Sequence, residues 1–257
     1  MKVTVLASGS KGNCCYVEGE SGALLIDVGL SARETVRRIE AAGGKKDAVE
    51  AILVTHEHGD HVKGIDVLTR NHIEVPVIST QGTLWQLEGQ VRATGLFRPA
   101  KTGTPVTVGD FSVELFDTYH DACEPCGFVI RENGSSFGYC TDTGMLSADI
   151  TRRLRACDGI VLESNHCPHM LKNGKYPEFL KARISDPKRG HLSNTAAAAF
   201  LKECAGEVGT IILAHLSEEN NTPEKVRDLA CESLGMYVHE TTLHVACQHT
   251  ISETFEV

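Results

Sequence analysis

No apolar run among the 257 residues is long enough to span a membrane as a helix. The first residues, Met1–Ala7, are too short and too polar for a secretion signal and read as a strand, so a cytoplasmic protein is expected. Linkers, repeats and low-complexity stretches are also missing. The length suits one sizeable core, so one domain over residues 1–257 is expected. An excess of positive charge is absent too. The net charge is −9, so the surface as a whole does not attract nucleic acid. The ten cysteines form no framework. Only Cys123-Glu124-Pro125-Cys126 has C-x-x-C spacing, and no second pair completes a zinc ribbon. Reduced, small core residues are expected; a redox or accessory-metal role for Cys123 and Cys126 is the alternative.

What is present is His56-Glu57-His58-Gly59-Asp60-His61, directly after the apolar run Ala51-Ile52-Leu53-Val54-Thr55. The run reads as a buried strand, and the cluster as the loop that leaves it. Three imidazoles and the Asp60 carboxylate are costly to bury unless a cation pairs with them. Their chemistry suits Zn²⁺, Mn²⁺ or Fe²⁺. His56 and His58, two apart, can chelate one ion; Asp60 and His61 can hold a second. The bland alternative, a histidine-rich surface loop, is countered by the rest of the chain. Three further apolar strands each run into a ligand type, at His120, Asp142 and His215. A rigid sheet presents ligands along one edge in this way.

The alternation of strands and helices allows either a Rossmann-like fold or a sandwich of two mixed sheets. The motifs decide. H-x-H-x-D-H, Ser8-Gly9-Ser10-Lys11-Gly12-Asn13, Asp27-Val28-Gly29, Thr141-Asp142-Thr143-Gly144, Glu163-Ser164-Asn165-His166, Gly190-His191-Leu192-Ser193-Asn194 and His215-Leu216-Ser217 together resemble the metallo-β-lactamase fold. Within it they are most similar to the YycJ/WalJ-type exonuclease branch, related to PhnP-type phosphodiesterases and ribonuclease Z. The resemblance covers nearly the whole chain and implies a four-layer αββα sandwich, two mixed sheets with helices outside.

The resemblance also implies roles. His56, His58 and His120 would hold a first metal, Asp60, His61 and His215 a second, and Asp142 would bridge them. The spacing around His120 departs from ribonuclease Z, which leaves two histidines and a carboxylate as the alternative first site. Two divalent ions, Zn²⁺ or Mn²⁺, about 3.5–4 Å apart generate hydroxide from bridging water and clamp an in-line displacement. The candidate catalytic residues are His191, Asp60 and His166. His191 would protonate the leaving oxygen or stabilise the phosphorane. His166 would line the same cleft, or be a loop histidine without a role. Ser8, Ser10 and Asn13 would bind phosphate or brace the site.

Charge supplies a candidate substrate track. Between Asn165 and His191 six basic residues, including Lys181, Arg183, Lys188 and Arg189, face only Glu178 and Asp186. Such a strip on an acidic body fits a phosphate backbone, and a solvated face equally. Arg152, Arg153 and Arg155 form a second basic group. The expectation is therefore a phosphodiester hydrolase; the family implies a 5′-to-3′ DNA exonuclease. The alternatives are a PhnP-like cyclic phosphodiesterase, a lactone or thioester hydrolase, and a binding module with a degenerate site.

Overall fold

The computed structural model describes residues 1–257. Its strands form where short aliphatic runs stand between polar turns. They are β1 Lys2–Ala7, β2 Cys14–Glu18, β3 Ala23–Ile26, β4 Val49–Leu53, β5 Val77–Ser79, β6 Phe97–Pro99, β7 Val106–Val108, β8 Phe111–Asp117, β9 Cys126–Glu132, β10 Ser135–Cys140, β11 Gly159–Glu163, β12 Thr210–Ala214, β13 Thr242–Val245 and β14 Phe255–Glu256. The helices are α1 Ala32–Ala41, α2 Gly59–Val62, α3 Ile65–Asn71, α4 Gln81–Leu87, α5 Ala148–Arg155, α6 Pro168–Asn173, α7 Glu178–Ile184, α8 Asn194–Glu203 and α9 Pro223–Leu234. No helix is long and apolar enough to cross a membrane.

Two seven-stranded mixed sheets result, in the orders β14-β1-β2-β3-β4-β5-β6 and β13-β12-β11-β10-β9-β8-β7. Their side-chain alternation explains the layers. Leu24 and Ile26 of β3 enter the core between the sheets, with Val113, Phe128, Ile130 and Val161 from the other sheet. Ala23 and Leu25 point the opposite way, into a core with Ile39, Leu68 and Leu84 of the outer helices. The second sheet is covered likewise: Val129, Leu162 and Leu213 meet Leu154, Phe200 and Val226. This is the four-layer αββα sandwich.

The irregular parts lie at edges and insertions. Three-residue β6 carries a proline, pairs only with β5 and has no readable alternation. The segment after the metal loop is two helices, α2 and α3; at the junction the Gly64 N–H bonds to the Val28 carbonyl oxygen at 2.8 Å, outside the helical ladder, and a Cβ on Gly64 would lie 2.2 Å from the Leu30 carbonyl oxygen. The basic insertion likewise holds two short helices, α6 and α7.

The parallel pairing β3–β4 and β10–β11–β12 aligns the carboxyl ends of these strands, so residues just past them meet at one edge. Asp27, Asp142 and His215 each stand there with a left-handed backbone, φ 59°, 55° and 57°. Such non-glycine residues cost on the order of 1–3 kcal/mol each and persist where surrounding structure imposes them.

Candidate metal centre

The H-x-H-x-D-H loop is fixed from below by one carboxylate. Asp27, fully buried past β3, accepts from the Thr55 backbone N–H at 2.9 Å and from the Thr55 hydroxyl. It also meets His61 Nδ1 at 2.8 Å, which turns His61 Nε2 outward. Gly29 lets the strand-end turn sit against the loop: a Cβ there would lie 1.7 Å from the Asp60 carbonyl oxygen. Backbone bonds from Asn13 N to Asp60 O and from Val28 N to His61 O close the contact.

Four overlapping ligand groups result, and two of them match the expected metal sets. His56, His58 and His120 bring one ligand atom each within 4.8 Å of one another, and so do Asp60, His61 and His215. His56 Nε2 and His58 Nδ1 are 3.0 Å apart. His120 Nδ1 lies 3.0 Å from the Gly190 carbonyl oxygen. A carbonyl only accepts, so Nδ1 carries the hydrogen and Nε2 keeps its lone pair for a cation. His120 therefore joins the first cluster despite its spacing. Asp142 lies between the clusters, its Oδ1 3.7 Å from His120 Nε2 and its Oδ2 3.3 Å from His61 Nε2.

Glu163, at the end of β11 and fully buried, performs for His191 and His215 what Asp27 performs for His61. Its Oε1 meets His191 Nδ1 at 2.8 Å and His215 Nδ1 at 2.9 Å. Its Oε2 accepts from the backbone N–H of Thr143 at 2.9 Å and of Leu192 at 3.0 Å. These bonds occupy the carboxylate and orient the His191 and His215 rings. The sequence alone assigns no role to Asp27 or Glu163. The available signal is the same one, an apolar strand that ends in a buried acid.

The site fits divalent cations. Asp142 Oδ2 and His215 Nε2 are buried without a hydrogen-bond partner, a costly state that a cation relieves. Burial, reinforced by the charge of His61 and His120, holds the His56 imidazole well below its usual range, which favours the neutral form that a cation needs. Burial pushes His61 down as well, but Asp27 and Asp142 outweigh it and raise the group to about 9. Here the carboxylates gather protons where a cation would replace them.

The predicted substrate residues divide. Ser8 Oγ accepts from the His215 backbone N–H at 2.6 Å and braces that turn. Asn13 is buried, donates to the Gly9 carbonyl oxygen and places Nδ2 3.0 Å from His61 Nε2. Only Ser10 of the three lines the metal cleft, a cavity of about 230 Å³ shared with His191, Asn165, Tyr176 and Arg183. Arg183 Nε donates to Asp121 Oδ2 at 2.5 Å, beside His120. Lys181 lies elsewhere, bonded to Glu178 and to the Lys172 carbonyl oxygen. Lys188 and Arg189 are exposed on the turn before Gly190, outside the cleft lining. The expected strip is thus not one face. The second basic group is tied up: Arg152 and Arg153 pair with Asp149, and Arg155 with Glu207.

His166 departs from expectation. It does not line the metal cleft; its neighbour Asn165 does, donating Nδ2 to the His215 carbonyl oxygen at 2.8 Å. Successive side chains leave an extended segment on opposite sides, which sends His166 to a separate cavity with Lys172 and Lys181. Burial lowers its pKa to about 4. The two C-x-x-C cysteines part as well: Cys126 is buried in β9, Cys123 is exposed, and all ten are free.

An αββα sandwich with these clusters at its strand ends defines a metal-dependent hydrolase. The model of the Beta-lactamase superfamily domain matches residues 23–216, and the chain belongs to that superfamily, whose fold is the metallo-β-lactamase fold. Within it the chain is 38% identical over 228 residues to exodeoxyribonuclease YycJ of Bacillus anthracis, covering 87% of this chain and 85% of that one. To exodeoxyribonuclease WalJ of Streptococcus pneumoniae it is 35% identical over 251 residues, covering 92% and 91%. Among solved structures, Zn²⁺-bound PqqB of Methylobacterium extorquens superposes over all of both chains with TM-score 0.73 at 17% identity, a likeness of fold alone.

Proposed function

We propose that the chain is a two-metal phosphodiesterase that acts on polynucleotides, with 5′-to-3′ exonucleolytic cleavage of DNA as its reaction. The observation that carries this reading is Asp142 between two three-ligand clusters, with His191 held by Glu163 on the open side. The similarity to two exodeoxyribonucleases supports the polynucleotide substrate.

His56, His58 and His120 would hold one divalent ion, Zn²⁺ or Mn²⁺, and Asp60, His61 and His215 the other, with Asp142 shared. When bound, such a pair supplies an activated water and neutralises charge on the phosphoryl oxygens. The chain's own residues do the rest. Asp27 and Glu163 hold the ligand rings with Nε2 outward. His191, its Nδ1–H held by Glu163, turns Nε2 to the cleft; in its imidazolium form it delivers the Nε2 proton to the leaving oxygen and is left as the neutral ring with Nδ1–H still on Glu163. Arg183, steadied by Asp121, neutralises a phosphate at the cleft wall.

A small-molecule phosphodiesterase is the second reading, favoured by the modest cleft of about 230 Å³. A time course on 5′-labelled and 3′-labelled single- and double-stranded DNA and RNA, with Mn²⁺ or Zn²⁺, separates the two. Mononucleotides released first from the 5′ end of DNA are expected. Cleavage of only small phosphodiesters refutes the polynucleotide reading.

A further inference from the structure

His166 is a buried histidine that the metal centre does not use. Its backbone is pinned: the Asn194 N–H donates to its carbonyl oxygen at 2.9 Å, and the Cys167 N–H to the Asn220 carbonyl oxygen at 2.9 Å. The side chain lines a cavity of about 290 Å³ whose other walls come from α6 and α7. Nδ1 is buried without a hydrogen-bond partner, a costly state in a residue only 3% exposed. His166 belongs to none of the four groups able to hold a metal ion, so a cation is not its missing partner. The rest of the cavity favours the opposite charge. Lys172 and Lys181 both line it. Lys181 Nζ donates to the Lys172 carbonyl oxygen at 2.9 Å, which ties that ammonium to α6 with its side chain 14% exposed. The carboxylate beside it, Glu178, is 90% exposed, and an ion pair so open to water is weak. An anion of higher charge displaces it at little cost. Two ammonium groups and an imidazole around one small cavity suit an oxyanion, and a phosphate has oxygens enough for all three.

We propose that this cavity is a second, non-catalytic site that takes a phosphate group, held by Lys172, Lys181 and His166. That chemistry has two sources, a free phosphate or a phosphate of a bound polynucleotide. The site stands whether or not the chain acts on polynucleotides. Helix α7, which carries Lys181 to this cavity, also carries Arg183 to the metal cleft. An anion held here therefore steadies the helix that walls the cleft.

The test titrates the Zn²⁺-loaded protein, labelled in histidine, with inorganic phosphate and follows the imidazole resonances by NMR. His166→Asn identifies the His166 signal. That signal should shift saturably with phosphate and stay still with chloride at equal ionic strength. Lys181→Ser should weaken the Kd read there by about 10- to 150-fold, the worth of one hydrogen bond to a charged group, and Lys172→Ser should act in the same direction. Neither lysine lines the metal cleft, so metal content should not change. A phosphorothioate oligonucleotide, which resists cleavage, separates the two sources. If it lowers phosphate affinity at His166, the site takes a strand phosphate; if both bind together, it takes the free anion. A His166 signal that ignores phosphate, or moves equally with chloride, overturns the proposal. A shift that both lysine variants leave unchanged marks an adventitious ion only and overturns it as well.

Discussion

Replacing Glu163 by Gln changes one buried atom and should remove one metal. In the native chain the carboxylate takes four hydrogen bonds, two from backbone N–H groups and two at the Nδ1 atoms of His191 and His215. A glutamine has one acceptor oxygen and one donor nitrogen to serve the same four partners. If the amide nitrogen faced Thr143 and Leu192, two buried N–H donors would lose their acceptor, at about 1–3 kcal/mol each. The amide therefore turns its oxygen to the backbone and its nitrogen to the two histidines. Each ring must then accept at Nδ1, which moves its own hydrogen to Nε2. His215 Nε2 is the buried, unpartnered atom aimed at the second cluster, and a protonated nitrogen cannot ligate. Affinity at that site should fall by about 10–100-fold, the range for loss of such a ligand-orienting partner. The first cluster draws on none of these groups and should keep its ion. Chelator competition with elemental analysis should show one unchanged and one weakened site, with native circular dichroism. Two sites of wild-type affinity in Glu163→Gln would refute the tautomer reasoning.

The same geometry sets the outcome of other substitutions. Asp142→Ala should lose both ions or nearly so, a greater loss than His120→Ala causes, as read by elemental analysis; full retention makes Asp142 no bridge. His191→Ala should keep metal content and slow turnover by roughly 10²–10⁴, the usual worth of a general acid; matched losses of metal and activity would make it a ligand. Arg183→Ser should weaken polynucleotide binding and flatten its salt dependence by about 0.7–0.9 in slope, as loss of one phosphate contact does. Lys188→Ser with Arg189→Ser should change that slope less, because neither side chain lines the cleft; a larger effect restores the strip as a track.

Much of the site is legible because apolar strands run straight into ligands. Thr55-His56, Cys140-Thr141-Asp142 and Ala214-His215 declare themselves in that way, and the structure brings them to one edge. Asp27 and Glu163 obey the same grammar, yet their tasks depend on rings 34 and 28 to 52 residues away, which only the folded pairing brings near. The direction of His166 is not legible, since a loop has no fixed alternation until Ser193 pairs with it. Charge order along residues 172–189 misleads for a related reason. Helix α7 sends Lys181 and Arg183 to different cavities, although they are two apart. Strand β6 lies below the length at which a period can be counted.

The two clusters do not belong to one sheet. His56, His58, Asp60 and His61 leave β4 of the first sheet, whereas His120, Asp142 and His215 come after strands of the second. Each proposed ion therefore has ligands from both halves of the sandwich and acts as a clasp across the seam between them. By mass action such a clasp makes the melting temperature a function of free cation, with about 2.7 kcal/mol gained per site at a hundredfold excess over Kd. Scarcity of metal would then first loosen the mouth where the halves meet, before either sheet lost its own pairing.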